Sequence, residues 1–124
     1  MISFQLEPTI TTPSVEVDEE EGEITISGRS SPENSVGFYQ PLLDVMDSLS
    51  ESPRLVFNFA LEYFNTSSGK CLFDIIRKAG KFTEEGSEIE INWFYDPEDE
   101  DMREIGEDYE DILDLEFNYL MISA

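Results

Sequence analysis

The sequence predicts an α/β fold: one compact domain over residues 1–124, with three helices and a mixed, mostly parallel five-stranded sheet in the order ββαβαβαβ. Three observations carry this prediction. The first third of the chain alternates polar and apolar residues in two short runs. Three later stretches place apolar residues at helical spacing, and strand-length apolar runs separate those stretches.

Ser14-Val15-Glu16-Val17-Asp18 and Glu23-Ile24-Thr25-Ile26-Ser27-Gly28 alternate with period two, and Glu19-Glu20-Glu21-Gly22 between them supplies a turn, so the pair reads as a β-hairpin. Ser30-Ser31-Pro32-Glu33-Asn34-Ser35 offers turn and capping chemistry. Tyr39, Leu42, Leu43, Met46 and Leu49 then mark a first helix, in which Pro41 is tolerable only near the first turn. Arg54 to Phe64 is apolar apart from Asn58 and Glu62, as expected of a central strand covered on both faces. A second helix starts near Cys71, buries Leu72, Ile75, Ile76 and Ala79, and ends at Gly80 or Gly86. Ile89 to Tyr95 is a strand, Met102, Ile105, Tyr109 and Ile112 mark a third helix, and Leu115 to Ile122 alternates as a last strand. Strands joined through helices imply right-handed crossovers and parallel pairing, with the hairpin as an antiparallel edge.

Charge narrows the function. With 29 Asp and Glu against 7 Lys and Arg the formal charge is −22, yet 40% of residues are hydrophobic, too many for a disordered acidic tail. Such a field repels nucleic acid and anionic lipid, and favours protein partners with basic surfaces. No apolar run approaches the roughly 20 residues that span a bilayer. The start Met1-Ile2-Ser3-Phe4-Gln5 lacks the basic and apolar regions of a secretory signal, so the expected location is cytoplasmic. Histidine is absent, which removes the commonest general base and metal ligand near neutral pH. Cys71 has no histidine to activate it. Setting Gly106 in the turn position of a calcium loop would put Arg103 and Ile105 at ligand places, so that frame fails. No catalytic dyad, metal site or cofactor is assigned, and the acidic stretch from Asp96 to Glu116 reads as a solvated face of the third helix.

The sharpest feature is Asn65-Thr66-Ser67-Ser68-Gly69-Lys70, which puts three hydroxyls at the junction of the central strand and the second helix. A helix N-terminus presents unpaired N–H groups and about half a positive charge, so a phosphate placed there would meet donors in position. Two readings stand: a phosphorylation switch, or plain helix capping by Asn65, Thr66 or Ser67. Lys70, Arg77, Lys78 and Lys81 gather in or beside the same helix; the last three also suit compensation of the helix dipole, whereas Lys70 sits at the wrong end for it.

Ser31-Pro32-Glu33-Asn34-Ser35 and Tyr63-Phe64-Asn65-Thr66-Ser67-Ser68-Gly69-Lys70 together resemble the SiaC family of bacterial regulatory phosphoproteins. Thr12-Pro13, Phe38-Tyr39-Gln40-Pro41, Trp93-Phe94-Tyr95-Asp96 and Gly106-Glu107-Asp108-Tyr109 extend the resemblance over nearly the whole chain. Val45 departs from it, standing where the family often carries an aromatic on the exposed side of the first helix. The resemblance implies a fold similar to anti-sigma-factor antagonists of the STAS type, and no enzymatic activity. It implies phosphorylation at Thr66 by a dedicated Ser/Thr kinase, with Ser67 and Ser68 as lesser candidates, and reversal by a PP2C-type phosphatase. It further implies that the unphosphorylated form binds and activates a diguanylate cyclase, raising cyclic di-GMP and favouring biofilm. Asn65, Ser67, Ser68 and Lys70, with Pro32, Glu33 and Asn34 from the loop before the first helix, are the expected partner-binding residues. The rival reading is a STAS-like anti-sigma-factor antagonist in a partner-switching pathway.

Overall fold

A computed structural model describes residues 2–122. Strands β1 (Phe4–Leu6), β2 (Ser14–Asp18) and β3 (Glu23–Ser30) lead into helix α1 (Ser35–Asp47), followed by β4 (Arg54–Phe64), α2 (Thr66–Glu84), β5 (Glu88–Tyr95), α3 (Glu100–Leu113) and β6 (Phe117–Met121). The α/β class and the three helices stand, but the sheet has six strands rather than five. The additional strand, β1, lies antiparallel on β2 with Phe4 opposite Val17. Three residues are too few to display an alternating pattern, so nothing in the sequence marked it.

Strand order follows chain order, β1 to β6, with β3 to β6 all parallel. Each β–α–β crossover therefore steps in the same direction, and a right-handed step places its helix on the same side every time. One face of the sheet carries the core: Val15 and Val17, Ile24 and Ile26, Leu55, Phe57, Phe59 and Leu61, Ile91 and Trp93, all buried under Tyr39, Leu42, Met46, Leu72, Ile75 and Ile76 of the helices. The expectation that β4 is covered on both faces is overturned. Its burial alternates, and its other side belongs to a polar ladder in which Asn58 donates to Thr25 Oγ1 (3.2 Å), Asn92 to Asn58 Oδ1 (2.8 Å) and Asn118 to Asn92 Oδ1 (3.0 Å). Val56 and Ala60 gave β4 its continuous apolar appearance; both are only half-buried.

Helix boundaries differ in instructive ways. Pro41 lies well inside α1, beyond the first turn. The carbonyl its missing N–H leaves behind belongs to exposed Gly37, which water can satisfy. Leu49 is buried in the turn after α1 rather than in it, and Val45 is half-buried against the core rather than on an exposed side. Helix α2 begins at Thr66, five residues before Cys71, and runs through Gly80. A Cβ at Gly80 would stand 3.3 Å from Leu115, so the glycine admits the chain leading into β6. Gly86 is the terminator: at φ +103° it closes a Schellman arrangement, with Ser87 N–H on the Phe82 carbonyl and Gly86 N–H on that of Thr83. In α3 the buried stripe runs through Met102, Ile105, Gly106, Tyr109 and Leu113, while Ile112 is exposed. The last strand starts at Phe117, because Leu115 is spent on packing against Gly80.

Candidate functional site

The end of β4 builds the site. Gly28 pairs with Leu61 and Arg29 with Tyr63, which makes Glu62 an extra residue and turns Phe64 inward. Phe64 meets Trp93 edge-on and would crowd any Cβ at Gly69 to 3.1 Å. Immediately beyond, Asn65 adopts an extended backbone, and its Oδ1 accepts from Ser68 N–H at 2.9 Å. Asn65, then, is the cap of α2. The amides of Thr66 and Ser67 have no acceptor among the described residues, as expected in the first turn of a helix.

The three hydroxyls divide sharply. Ser68 is fully buried: its Oγ accepts from Ser30 at 2.8 Å and lies 3.2 Å from Ser35 Oγ. Ser67 is exposed but tied, 2.8 Å from Ser35 Oγ and donating to Asn65 Oδ1 at 3.2 Å. Thr66 is exposed, and its hydroxyl makes no hydrogen bond among the described residues. Lys70 is likewise exposed, with no ion pair among the described residues.

Because β3 and β4 are parallel, the loop after β3 arrives at the same end of the sheet as the start of α2. The hydroxyl contact with α2 is made by Ser35, the first residue of α1, rather than by Pro32, Glu33 or Asn34 of the loop. Pro32 is buried, Glu33 is exposed, and Asn34 caps α1 by accepting from Gly37 N–H at 3.0 Å. Behind Ser35, Ser30 Oγ lies 2.7 Å from the Tyr39 hydroxyl, and Asn65 N–H donates to the Ser30 carbonyl. Burial pushes the Tyr39 phenol up to about 12, although the Ser30 contact opposes this, so the hydroxyl stays protonated as a member of the network. Sequence reasoning missed Ser30, Ser35 and Tyr39 as a unit. Tyr39 looked like one more helical core position, and only the parallel pairing of β3 and β4 makes the two serines neighbours of Ser67 and Ser68.

Underneath, α3 braces the same turn. The Tyr109 hydroxyl donates to the Gly69 carbonyl at 2.8 Å, and Trp93 Nε1 donates to the Met102 carbonyl at 2.9 Å. Gly106 sits against the indole so closely that a Cβ would come within 2.8 Å of it. The Trp93 and Gly106-to-Tyr109 segments thus support the hydroxyl cluster from below. Cys71 is buried, and its thiol is pushed up first by burial and then by the Asp74 carboxylate, the opposite of what a nucleophile needs. Arg77 pairs with Asp74 and Lys78 with Asp47, which leaves Lys81 in the last turn to face the helix dipole.

A model of the SiaC family of regulatory phosphoproteins matches residues 6–122. The chain belongs to this family. A protein of Pseudomonas aeruginosa strain UCBPP-PA14 is 29% identical over 111 residues, 88% of each chain. Apo-SiaC from Pseudomonas aeruginosa superposes with a TM-score of 0.84 at 24% identity, over 97% of this chain and 98% of that one. SiaC of the same organism in complex with the diguanylate cyclase SiaD, whose activator it is, gives 0.89 at 24% identity over 97% and 100%. At that identity the structures show a shared SiaC fold. Among the described residues no helix is long and apolar enough to cross a membrane.

Proposed function

We propose that the protein is a non-enzymatic, cytoplasmic phospho-switch whose unmodified form binds and activates a diguanylate cyclase, with Thr66 as the residue whose phosphorylation switches it off. The observation that carries this reading is the division of labour among the three hydroxyls: among the described residues only Thr66 offers an exposed oxygen without a hydrogen bond, beside two helix amides without an acceptor. Membership of a regulatory phosphoprotein family supports the switch, and the SiaC–SiaD complex of the structural relative supports the class of partner. A Ser/Thr kinase and a PP2C-type phosphatase complete the cycle.

A phosphate adds about −1.5 to −2 charges, which the helix N-terminus accommodates, so the fold survives modification. A binding surface that must shed its water does not tolerate the same dianion. Desolvating it costs several kcal/mol, and each 1.4 kcal/mol is a factor of about ten in affinity. The test is to phosphorylate the protein enzymatically, map the site, and measure affinity for the co-purifying cyclase and its cyclic di-GMP output. Phosphate on Thr66 and loss of both binding and stimulation are expected; phosphate confined to Ser67, or tighter binding by the modified form, refutes the reading. Capture of a sigma-binding kinase instead of a GGDEF cyclase would point to the anti-sigma-factor antagonist class.

A further inference from the structure

We infer that the open face of the sheet, at the carboxyl ends of β4, β5 and β6, is a docking surface for a basic amphipathic helix of a partner protein. Parallel sheets are ordinarily covered on both faces, and here the sequential strand order commits every helix to one. Most of the uncovered face is polar, as the Thr25–Asn58–Asn92–Asn118 ladder requires. Its character changes at the carboxyl end. Ala60, Phe94, Met121 and Ile122 line a shallow depression there, with Glu62 at its edge. Leu120 and Ile122 remain 40% and 36% exposed. Glu62 and Ile122 also line an adjoining hollow rimmed by Asp96, Glu98 and Asp99. The two hollows form one apolar strip flanked by carboxylates. Among the described residues no Lys or Arg lines either hollow.

Charge selects the occupant. An apolar ridge flanked by Lys or Arg would bury Phe94, Leu120 and Ile122 and place its cations against Glu62, Asp96 and Glu98. A second copy of this chain would bring like carboxylates together on two molecules that each carry −22. A helix is the element that completes a sheet layer without needing a free strand edge, because its backbone bonds are already internal. The surface includes none of residues 65–70, and the inference stands whether or not Thr66 is a switch.

The probe is a fluorescently labelled amphipathic peptide of Leu and Lys, about five helical turns long, titrated into the full chain at about 0.15 M salt. Binding is expected, with shifted amide resonances centred on the carboxyl ends of β4 to β6. Leu120→Ser with Ile122→Ser should weaken it about tenfold or more, and Glu62→Gln with Glu98→Gln should weaken it and flatten its salt dependence. Glu51→Gln with Glu84→Gln, equal in charge but remote, should leave affinity within about twofold. Thermal unfolding of each variant checks that the fold is intact. The inference is overturned if the remote pair weakens binding as much as the local pair, since only the net field would then matter. It is also overturned if removing Leu120 and Ile122 changes nothing, or if sedimentation shows self-association that those two substitutions abolish.

Discussion

Thr66→Ala and Ser68→Ala should have opposite consequences, although the two residues are near neighbours in one polar run. Ser68 Oγ is fully buried and bonded to Ser30 and Ser35. Removing it takes two hydrogen bonds from a closed network at about 1 kcal/mol each, while alanine returns about 0.5 kcal/mol of helix propensity. Ser30 and Ser35 retain Tyr39 and Ser67 as partners, so neither is orphaned. A net loss of about 1–2 kcal/mol follows, or about 3–10 °C in Tm for a domain of this size. Thr66 is exposed, its hydroxyl makes no hydrogen bond among the described residues, and the capping role belongs to Asn65, so Thr66→Ala should change stability by less than about 0.5 kcal/mol. Were Thr66 the cap, the same substitution would lose about 0.5–2 kcal/mol. Urea unfolding followed by the fluorescence of Trp93, the single tryptophan, measures both. Kinase treatment of the same two proteins adds the functional half: Ser68→Ala should still accept phosphate and Thr66→Ala should not. A destabilised Thr66→Ala beside a neutral Ser68→Ala would refute the reasoning, because it would make Thr66 structural and leave Ser68 idle.

Asn65→Ala removes the cap from Ser68 N–H and leaves the Ser67 hydroxyl with Ser35 alone, and should lower stability by about 1 kcal/mol in the same urea assay. Gly106→Ala forces a methyl to within 2.8 Å of the Trp93 ring. Overpacking of about 1–3 kcal/mol should outweigh the roughly 1 kcal/mol gained in helix propensity, with a shifted Trp93 emission spectrum as the companion readout. Tyr39 holds its proton in the folded state up to about pH 12, well above the ordinary phenol value of 10.0. Its contribution is therefore complete below pH 10 and is lost as pH rises towards 12, because in that window the unfolded chain binds fewer protons than the folded one. Ultraviolet titration of the phenols alongside circular dichroism should show the late-titrating tyrosines ionising together with unfolding, and Tyr39→Phe should remove part of that alkaline transition.

Much of the architecture was legible because it rests on local periodicity. Alternation found the β2–β3 hairpin, and helical spacing found three helices, since each buries one stripe on one sheet face. The misreadings have a common cause in tertiary context. The β4 segment looked buried on both sides because Val56 and Ala60 are apolar, but which face a helix covers is decided by the direction of every crossover taken together. Ile112 fitted the spacing of α3 as well as Leu113 does, but in the fold Leu113 packs against the core and Ile112 faces solvent. Gly80 and Gly86 were equivalent as terminators until a positive φ identified one and the side chain of Leu115 explained the other.

The candidate site shows the same boundary between local and non-local information. Asn65, Thr66, Ser67 and Ser68 are adjacent in the chain, so the cluster was visible at once, but their roles were not. A hydroxyl at a helix start is a cap, a buried strut or an exposed acceptor according to what lies opposite, and here that is Ser30, Ser35 and Tyr39 from a different β–α connection. Ser67 and Ser68 couple the first turn of α2 to the start of α1 through short hydroxyl contacts, while Thr66 lies outside that network. A phosphate on Thr66 would therefore change the charge of the surface without breaking any of the serine contacts that join the two helices. On the proposed switch, the effect on a partner would follow from electrostatics and desolvation at the contact, with no rearrangement of the fold required. Nearly superimposable backbones and amide spectra for the modified and unmodified protein, apart from residues around 65–70, are the corresponding expectation. Widespread shifts reaching α1 would mean that the serine network itself is the moving part.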